Sequence, residues 1–158
     1  MGASDMISML GGGTADTLLM VFVSTLMGYV IGLPLGVCLT IFDADGISPH
    51  PWIYKLLDFV INITRSVPFL ILLILIQPFT KMLVGKSYGT TATIVPLTVA
   101  AAPFIARMVE SSLKEVDKGV IEAAVSLGAK KSTIVTKVLI AEARTSLLVG
   151  VTIALGTI

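Results

Sequence analysis

Residues 17–42, TLLMVFVSTLMGYVIGLPLGVCLTIF, carry no charged side chain over 26 consecutive positions. No other feature limits the fold as strongly. Coiled as an α-helix at 1.5 Å per residue, such a run is ~39 Å long, enough to cross a ~30 Å hydrocarbon core with some tilt. The bulk composition agrees: 55% of the 158 residues are hydrophobic and 13% charged, and the mean hydropathy is +0.98. That is the membrane class, and the expected fold is all-α and polytopic. A net charge of +1 supplies no field for nucleic acid, so none is expected as a partner. Cys38, the one cysteine, has no partner for an intrachain disulfide. The first sixteen residues contain Asp5 and Asp16 but no Lys or Arg, which argues against a cleaved signal peptide. Gly11, Gly12 and Gly13 read as a flexible lead-in.

Three further apolar runs follow, at 59–80, 88–106 and 145–158. They predict a single membrane domain with three complete spans and the start of a fourth. The last run would reach only ~21 Å as a helix, too short to cross comfortably, so the natural chain is expected to continue. Residues 43–58 read as a loop, broken by Gly46, Pro49 and Pro51, with Trp52 and Tyr54 suited to the membrane interface. Pro34 should kink the first helix. Pro68 falls early in the second run, and Arg65 can snorkel to the headgroups. Nine of the eleven Lys and Arg residues fall in 43–65 or 107–144. With alternating spans those regions share one side. The positive-inside rule makes that side cytoplasmic and puts the N-terminus outside.

Ser24, Gly28, Gly32 and Gly36 recur every fourth residue and form a strip of small side chains for close helix packing. Among the polar residues of the spans, Asn62, Thr64, Ser66, Gln77 and Thr98 are candidates to line a pathway, although helix-to-helix hydrogen bonding is the more common explanation for any single one. Gly85-Lys86-Ser87 resembles the end of a phosphate-binding loop, but position 80 is Thr80 where the motif needs glycine, and the setting joins two apolar runs. His50 stands alone between prolines. No metal site, cofactor site or catalytic set is expected, and the chain does not read as an enzyme. The runs also lack Asp and Glu, which counts against a proton- or sodium-coupled carrier.

The segment 107–144 is charged yet helix-forming. Val120, Ile121, Ala124 and Val125 fall at i, i+1, i+4 and i+5. Ile134, Val135, Val138 and Leu139 repeat that spacing. Each set predicts an amphipathic helix, and Gly128 between them predicts a left-handed turn. The small side chains of the first stripe suit a protein groove better than a lipid surface.

Here the residues resemble a known family. Glu122-Ala123-Ala124, then Gly128, then an apolar run to Leu139-Ile140 is similar to the EAA loop of bacterial ABC importer membrane subunits. The family usually has proline where this chain has Ala141. Asn62-Ile63-Thr64-Arg65-Ser66-Val67-Pro68-Phe69, PFTKMLVG (78–85) and IVPLTVAAAPFIARMVE (94–110) resemble the methionine importer permeases in particular. The resemblance implies a five-span helical subunit of the inner membrane, paired as a homodimer. Two cytoplasmic ATPase subunits would dock below it, and an extracytoplasmic protein would deliver L-methionine, with the D form as a further substrate. It implies that Glu122, Ala123, Ala124 and Gly128 couple the permease to its ATPase, Glu122 as a polar anchor and the alanines for close seating. Two other readings remain open on the residues alone: a permease for another small amino acid or solute, and a secondary carrier or channel whose amphipathic segment lies on lipid.

Overall fold

The computed structural model describes residues 3–158, and these are helical with no strand among them. Helix α1 is Ala3–Phe42, α2 Pro51–Ser66, α3 Phe69–Val84, α4 Thr90–Lys114 and α5 Lys118–Ser126. Two further helices are α6, Lys131–Glu142, and α7, Arg144–Thr157.

Helix α1 runs unbroken for 40 residues, through Gly11, Gly12, Gly13 and Pro34. The three glycines are therefore helix and not a loose lead-in. Each glycine costs roughly 1 kcal/mol against alanine, but extending an existing helix needs no new nucleus. Nearby hydroxyls also fold back onto it: Thr14 Oγ1 donates to the Leu10 carbonyl at 2.8 Å and Thr17 Oγ1 to the Gly13 carbonyl at 2.8 Å.

The centre of the molecule is the seam between α1 and α4. A Cβ added at Gly28 would lie 2.9 Å from Ala101 Cβ, at Gly32 2.7 Å from the Ala102 carbonyl oxygen, and at Gly36 2.5 Å from that of Ala106. The register advances together along both helices, so they run parallel. Ser24 ends the strip, fully buried, with its hydroxyl donated to the Met20 carbonyl at 2.5 Å. Ala101, Ile105, Val109 and Leu113 of α4 continue this core into Leu139, Ala143 and Ala154. The outward face of α1 is apolar too: Leu18, Phe22, Leu26 and Val30 are each more than half exposed. An apolar exterior around a small-residue interior suits a lipid surround.

The second apolar run departs from expectation. It is not one helix over 59–80 but α2 and α3, bent by 108°. Pro68 is the cause. Its ring disfavours the helical conformation at the residue before it, and Val67 is extended at φ −78°, ψ 123°. Ser66 Oγ donates back to the Ile63 carbonyl at 2.7 Å, and a new helix starts from the Pro68 carbonyl, which accepts from Leu72 at 3.1 Å. Residues 51–58, expected as loop, are already helical because Pro51 stands in the first turn of α2, where its missing N–H is harmless. At the far end Gly85, φ +75°, closes α3. It is a helix C-cap, not a strand-to-helix phosphate loop.

Helix α4 outruns its apolar stretch, continuing past the end of that run at Ala106 to Lys114. Helices α6 and α7 meet at a 68° bend with no proline. The bend falls at Ala143, φ −77°, ψ 0°, which is 4% exposed and wedged into the core. Two helices, α1 and α4, are long and apolar enough to cross a membrane, and each bent pair reaches that measure if taken as one span.

Candidate functional site: the α5–α6 turn and its charged support

The turn is built by local rules. Asp117 caps α5, its side chain accepting from the Gly119 N–H at 2.6 Å. At the other end Gly128 adopts φ +76°. The Gly128 N–H then reaches the Val125 carbonyl at 2.9 Å, and the Ala129 N–H reaches that of Ala124 at 3.1 Å. These two bonds are the Schellman closure, which satisfies carbonyls a helix end leaves open.

The structure divides the first predicted stripe. Ile121 and Ala124 are half-buried and turn inward, Ile121 against the core. The outward apolar line is instead Val120, Ala123 and Leu127, at i, i+3 and i+7, with Leu127 87% exposed. Glu122 is exposed beside them, and Gly128 lies at the tip. Ala123 and Ala124 are thus on different faces. In α6 the second stripe faces inward. Ile134–Leu139 is wound as a π-helix, whose wider turn brings residues five apart onto one face. Ile134 and Leu139 are both 1% exposed.

Below α5 lies a cluster of charges that sequence reading missed. Glu110, on α4, is 4% exposed. It accepts from Arg107 Nη1 at 2.7 Å, from Lys114 Nζ at 2.8 Å and from the Tyr54 hydroxyl at 3.2 Å. Arg107 Nη2 also pairs with Asp58 and donates to Asn62 Oδ1 at 3.1 Å. Lys114 bridges to Asp43 at 2.7 Å. Hydrogen bonding to Lys114, aided by the Ala44 N–H, holds the Asp43 carboxyl below the usual carboxylate range despite its partial burial. Lys118 pairs with Asp45 at 2.9 Å, and this keeps its ammonium above the ordinary lysine value. The signal for the cluster was Arg107, Glu110 and Lys114 at i, i+3 and i+7, opposite charges on one helix face. A cavity of about 740 Å³ lies between this support and α5, lined by Asp43, Asp45, Lys118, Ile121 and Glu122 among others.

The pathway candidates do not converge. Asn62 is exposed and bonded within the charge cluster, donating to Asp58 at 3.1 Å. Ser66 and Thr64 bond their own helix. Gln77 is half-buried on α3. Thr98 is buried in α4 with no partner for its hydroxyl. Among the described residues no hydrogen bond joins any two of them. A second cavity, about 550 Å³, takes in Thr64 with Arg65, Phe69 and Phe104 at the α2–α3 break.

Residues 28–158 match the family described as binding-protein-dependent transport system inner membrane component. The D-methionine transport system permease protein MetI of Yersinia pestis is 48% identical over 153 residues, covering 97% of this chain and 70% of that protein. Its namesake in Escherichia coli K12 is 49% identical over 146 residues, covering 92% of this chain and 67% of that one. A solved structure of the MetNI methionine ABC transporter, in an inward-facing conformation, contains a chain that superposes with a TM-score of 0.96. That chain is 47% identical, and the match covers 99% of this chain and 72% of that one. The family are the membrane subunits of transport systems, not the ATPases. By the match over 28–158, this chain belongs to the binding-protein-dependent transport system inner membrane components.

Proposed function

We propose that this chain is the permease subunit of an ATP-driven importer that moves methionine into the cytoplasm. The observation that carries this reading is the likeness to a methionine transporter subunit at 47% identity and a TM-score of 0.96 over 99% of the chain. Relatives named for D-methionine support the D form as a substrate beside the L form. Two copies of the permease enclose the pathway, two ATPase subunits dock beneath them, and a binding protein delivers substrate from outside.

The orientation follows the charges. Nine of eleven basic residues lie in 43–65 and 107–144, so that end faces the cytoplasm and the N-terminus lies outside. The α5–α6 turn then faces the ATPases. Its exposed line of Val120, Ala123 and Leu127, flanked by Glu122, is the surface offered to them. Half-buried Ala124 seats the turn, and Gly128 closes it at the tip. When ATP closes the ATPase pair, α5 is displaced and the spans follow. Driving a two-state gate from 1:99 to 99:1 needs ~5.5 kcal/mol of differential interaction. A helix capped at both ends and backed by a charged support can deliver that; a loose loop would dissipate it.

The test is co-purification of the permease with the P-loop ATPase encoded beside it. The ATPase should come down with the parent protein and less with Leu127→Asp. A folded, inserted permease that captures no ATPase would contradict the proposal and favour a helix lying on lipid.

A further inference from the structure

Residues 43–48, between α1 and α2, lie across both helices of the turn. Asp43 meets Lys114 at 2.7 Å, Asp45 meets Lys118 at 2.9 Å, and Ser48 Oγ accepts from Lys131 Nζ at 3.0 Å. Those three lysines are the last residue of α4, the first of α5 and the first of α6. The segment is therefore a strap over the turn. From Lys114 the charges continue without a gap: Lys114 to Glu110, Glu110 to Arg107 and Tyr54, Arg107 to Asp58 and Asn62. Asn62 lies one helical turn before Ser66, where α2 ends at its break.

We propose that Glu110 is a positioning residue of the transport cycle: it fastens the strap and α2 to α4, so that a displacement of α5 reaches the α2–α3 break. The inference rests on the importer reading above. Its physical basis is the difference in burial along the chain of charges. The Asp45–Lys118 pair is open to water, with side chains 76% and 71% exposed, and open pairs hold weakly. The Glu110 side chain is 6% exposed and takes three donors from two elements, and such charge-assisted bonds are the strong ones. Among the described residues Glu110 is the one acceptor shared by the strap side, through Lys114, and the α2 side, through Arg107 and Tyr54. Without its carboxylate Lys114 keeps Asp43 and its place 5.7 Å from the Tyr54 ring, and Arg107 keeps Asp58, so each side stays attached to α4 and what is lost is the buried acceptor that both sides share. A Glu110→Gln permease should therefore fold and assemble yet transmit poorly. A second route from α5 runs through α6 and the Ala143 bend into α7. A relay is demonstrated only by a coupling measurement, not by contiguity.

The experiment reconstitutes the permease, ATPase and binding protein in lipid vesicles and measures ATP hydrolysed per methionine delivered. Glu110→Gln is expected to raise that ratio at least threefold, with the methionine concentration for half-maximal uptake unchanged. Asp43→Asn, whose side chain is 24% exposed, should raise it less. If Glu110→Gln fails to assemble, Asp43→Asn decides by the same ratio. Uptake and hydrolysis falling in step, with the ratio at the parent value, would mean a merely structural role and overturn the inference while leaving the importer reading intact. Absence of ATP-driven methionine uptake by the parent assembly would overturn the importer reading and this inference with it.

Discussion

The α1–α4 seam and the charged support of α5 lie at neighbouring levels of the same two helices, yet they hold by opposite means. At the seam nothing polar passes between the helices. Gly28, Gly32 and Gly36 let two backbones meet, and contact distance alone fixes the register. At the support, Asp43, Asp58, Arg107, Glu110 and Lys114 reach across gaps that apolar side chains leave open. Close packing has one good arrangement and resists displacement. Ion pairs on long side chains can stretch, exchange partners and respond to salt and pH. In the function proposed above the seam is the fixed axis and the support the adjustable joint.

The sharpest break of this contrast is Gly36→Leu. Its Cβ alone would come 2.5 Å from the Ala106 carbonyl oxygen, and backbone cannot move aside. A loss of about 3 kcal/mol is expected, read as a collapsed melting temperature in detergent. Gly12→Leu, with nothing within 4 Å, should leave it unchanged. Next is Glu110→Ala. It removes a buried acceptor from Arg107, Lys114 and Tyr54 but leaves each cation another partner. About 2 kcal/mol is expected by the same melt, with the loss growing at low salt, where the two cations repel more strongly.

Gly128→Val follows. The site is open, with nothing within 4 Å of a Cβ, so the cost is purely that of φ +76° on a side-chain-bearing residue, roughly 1–2 kcal/mol. Its larger effect should fall on transport: insertion normal, melting lowered by only a few degrees, uptake strongly reduced. A pH effect comes next. The Asp43 carboxyl titrates below its ordinary value because Lys114 hydrogen-bonds it. A depressed carboxyl stabilises fully above its unfolded pKa, roughly 3.9, and that contribution is lost as pH falls through the lower folded value. Melting should hold steady from neutrality to about pH 5. The decline below about pH 4 should be shallower in Asp43→Asn. The smallest effect is Lys118→Ala, whose pair with Asp45 is exposed on both sides. No shift in melting beyond error is expected.

How far these features could be read from the sequence depended on how local their causes are. Small residues every fourth position are visible in any helical projection, and so is a glycine between two apolar stripes. The helix–turn–helix around Gly128 follows from φ preferences over five residues. The 108° break was legible only as a proline. Hydropathy averages residues 59–80 into one span and is blind to direction, so the extended Val67 that Pro68 imposes went unread. The apolar run ends at the first charge, Arg107, but α4 continues to Lys114, because helices do not stop at charges that find partners. Those partners, Asp43 and Asp58, are about fifty and more residues distant, and no periodicity marks them. No proline marks the bend at Ala143, whose small side chain is buried in the core. The outward line of α5 was misassigned for a similar reason. Val120, Ile121, Ala124 and Val125 are all apolar, and only the position of the core decides that Ile121 turns in and Leu127 out.

The most direct test of the account is uptake of labelled methionine into vesicles holding the permease with its ATPase, the binding protein outside and ATP within, with Gly128→Val in parallel. The account predicts uptake that requires ATP in the parent and falls at least tenfold in the variant, while the ATPase still co-purifies with both. Uptake driven by a proton or sodium gradient without ATP, or equal uptake by Gly128→Val, would contradict it.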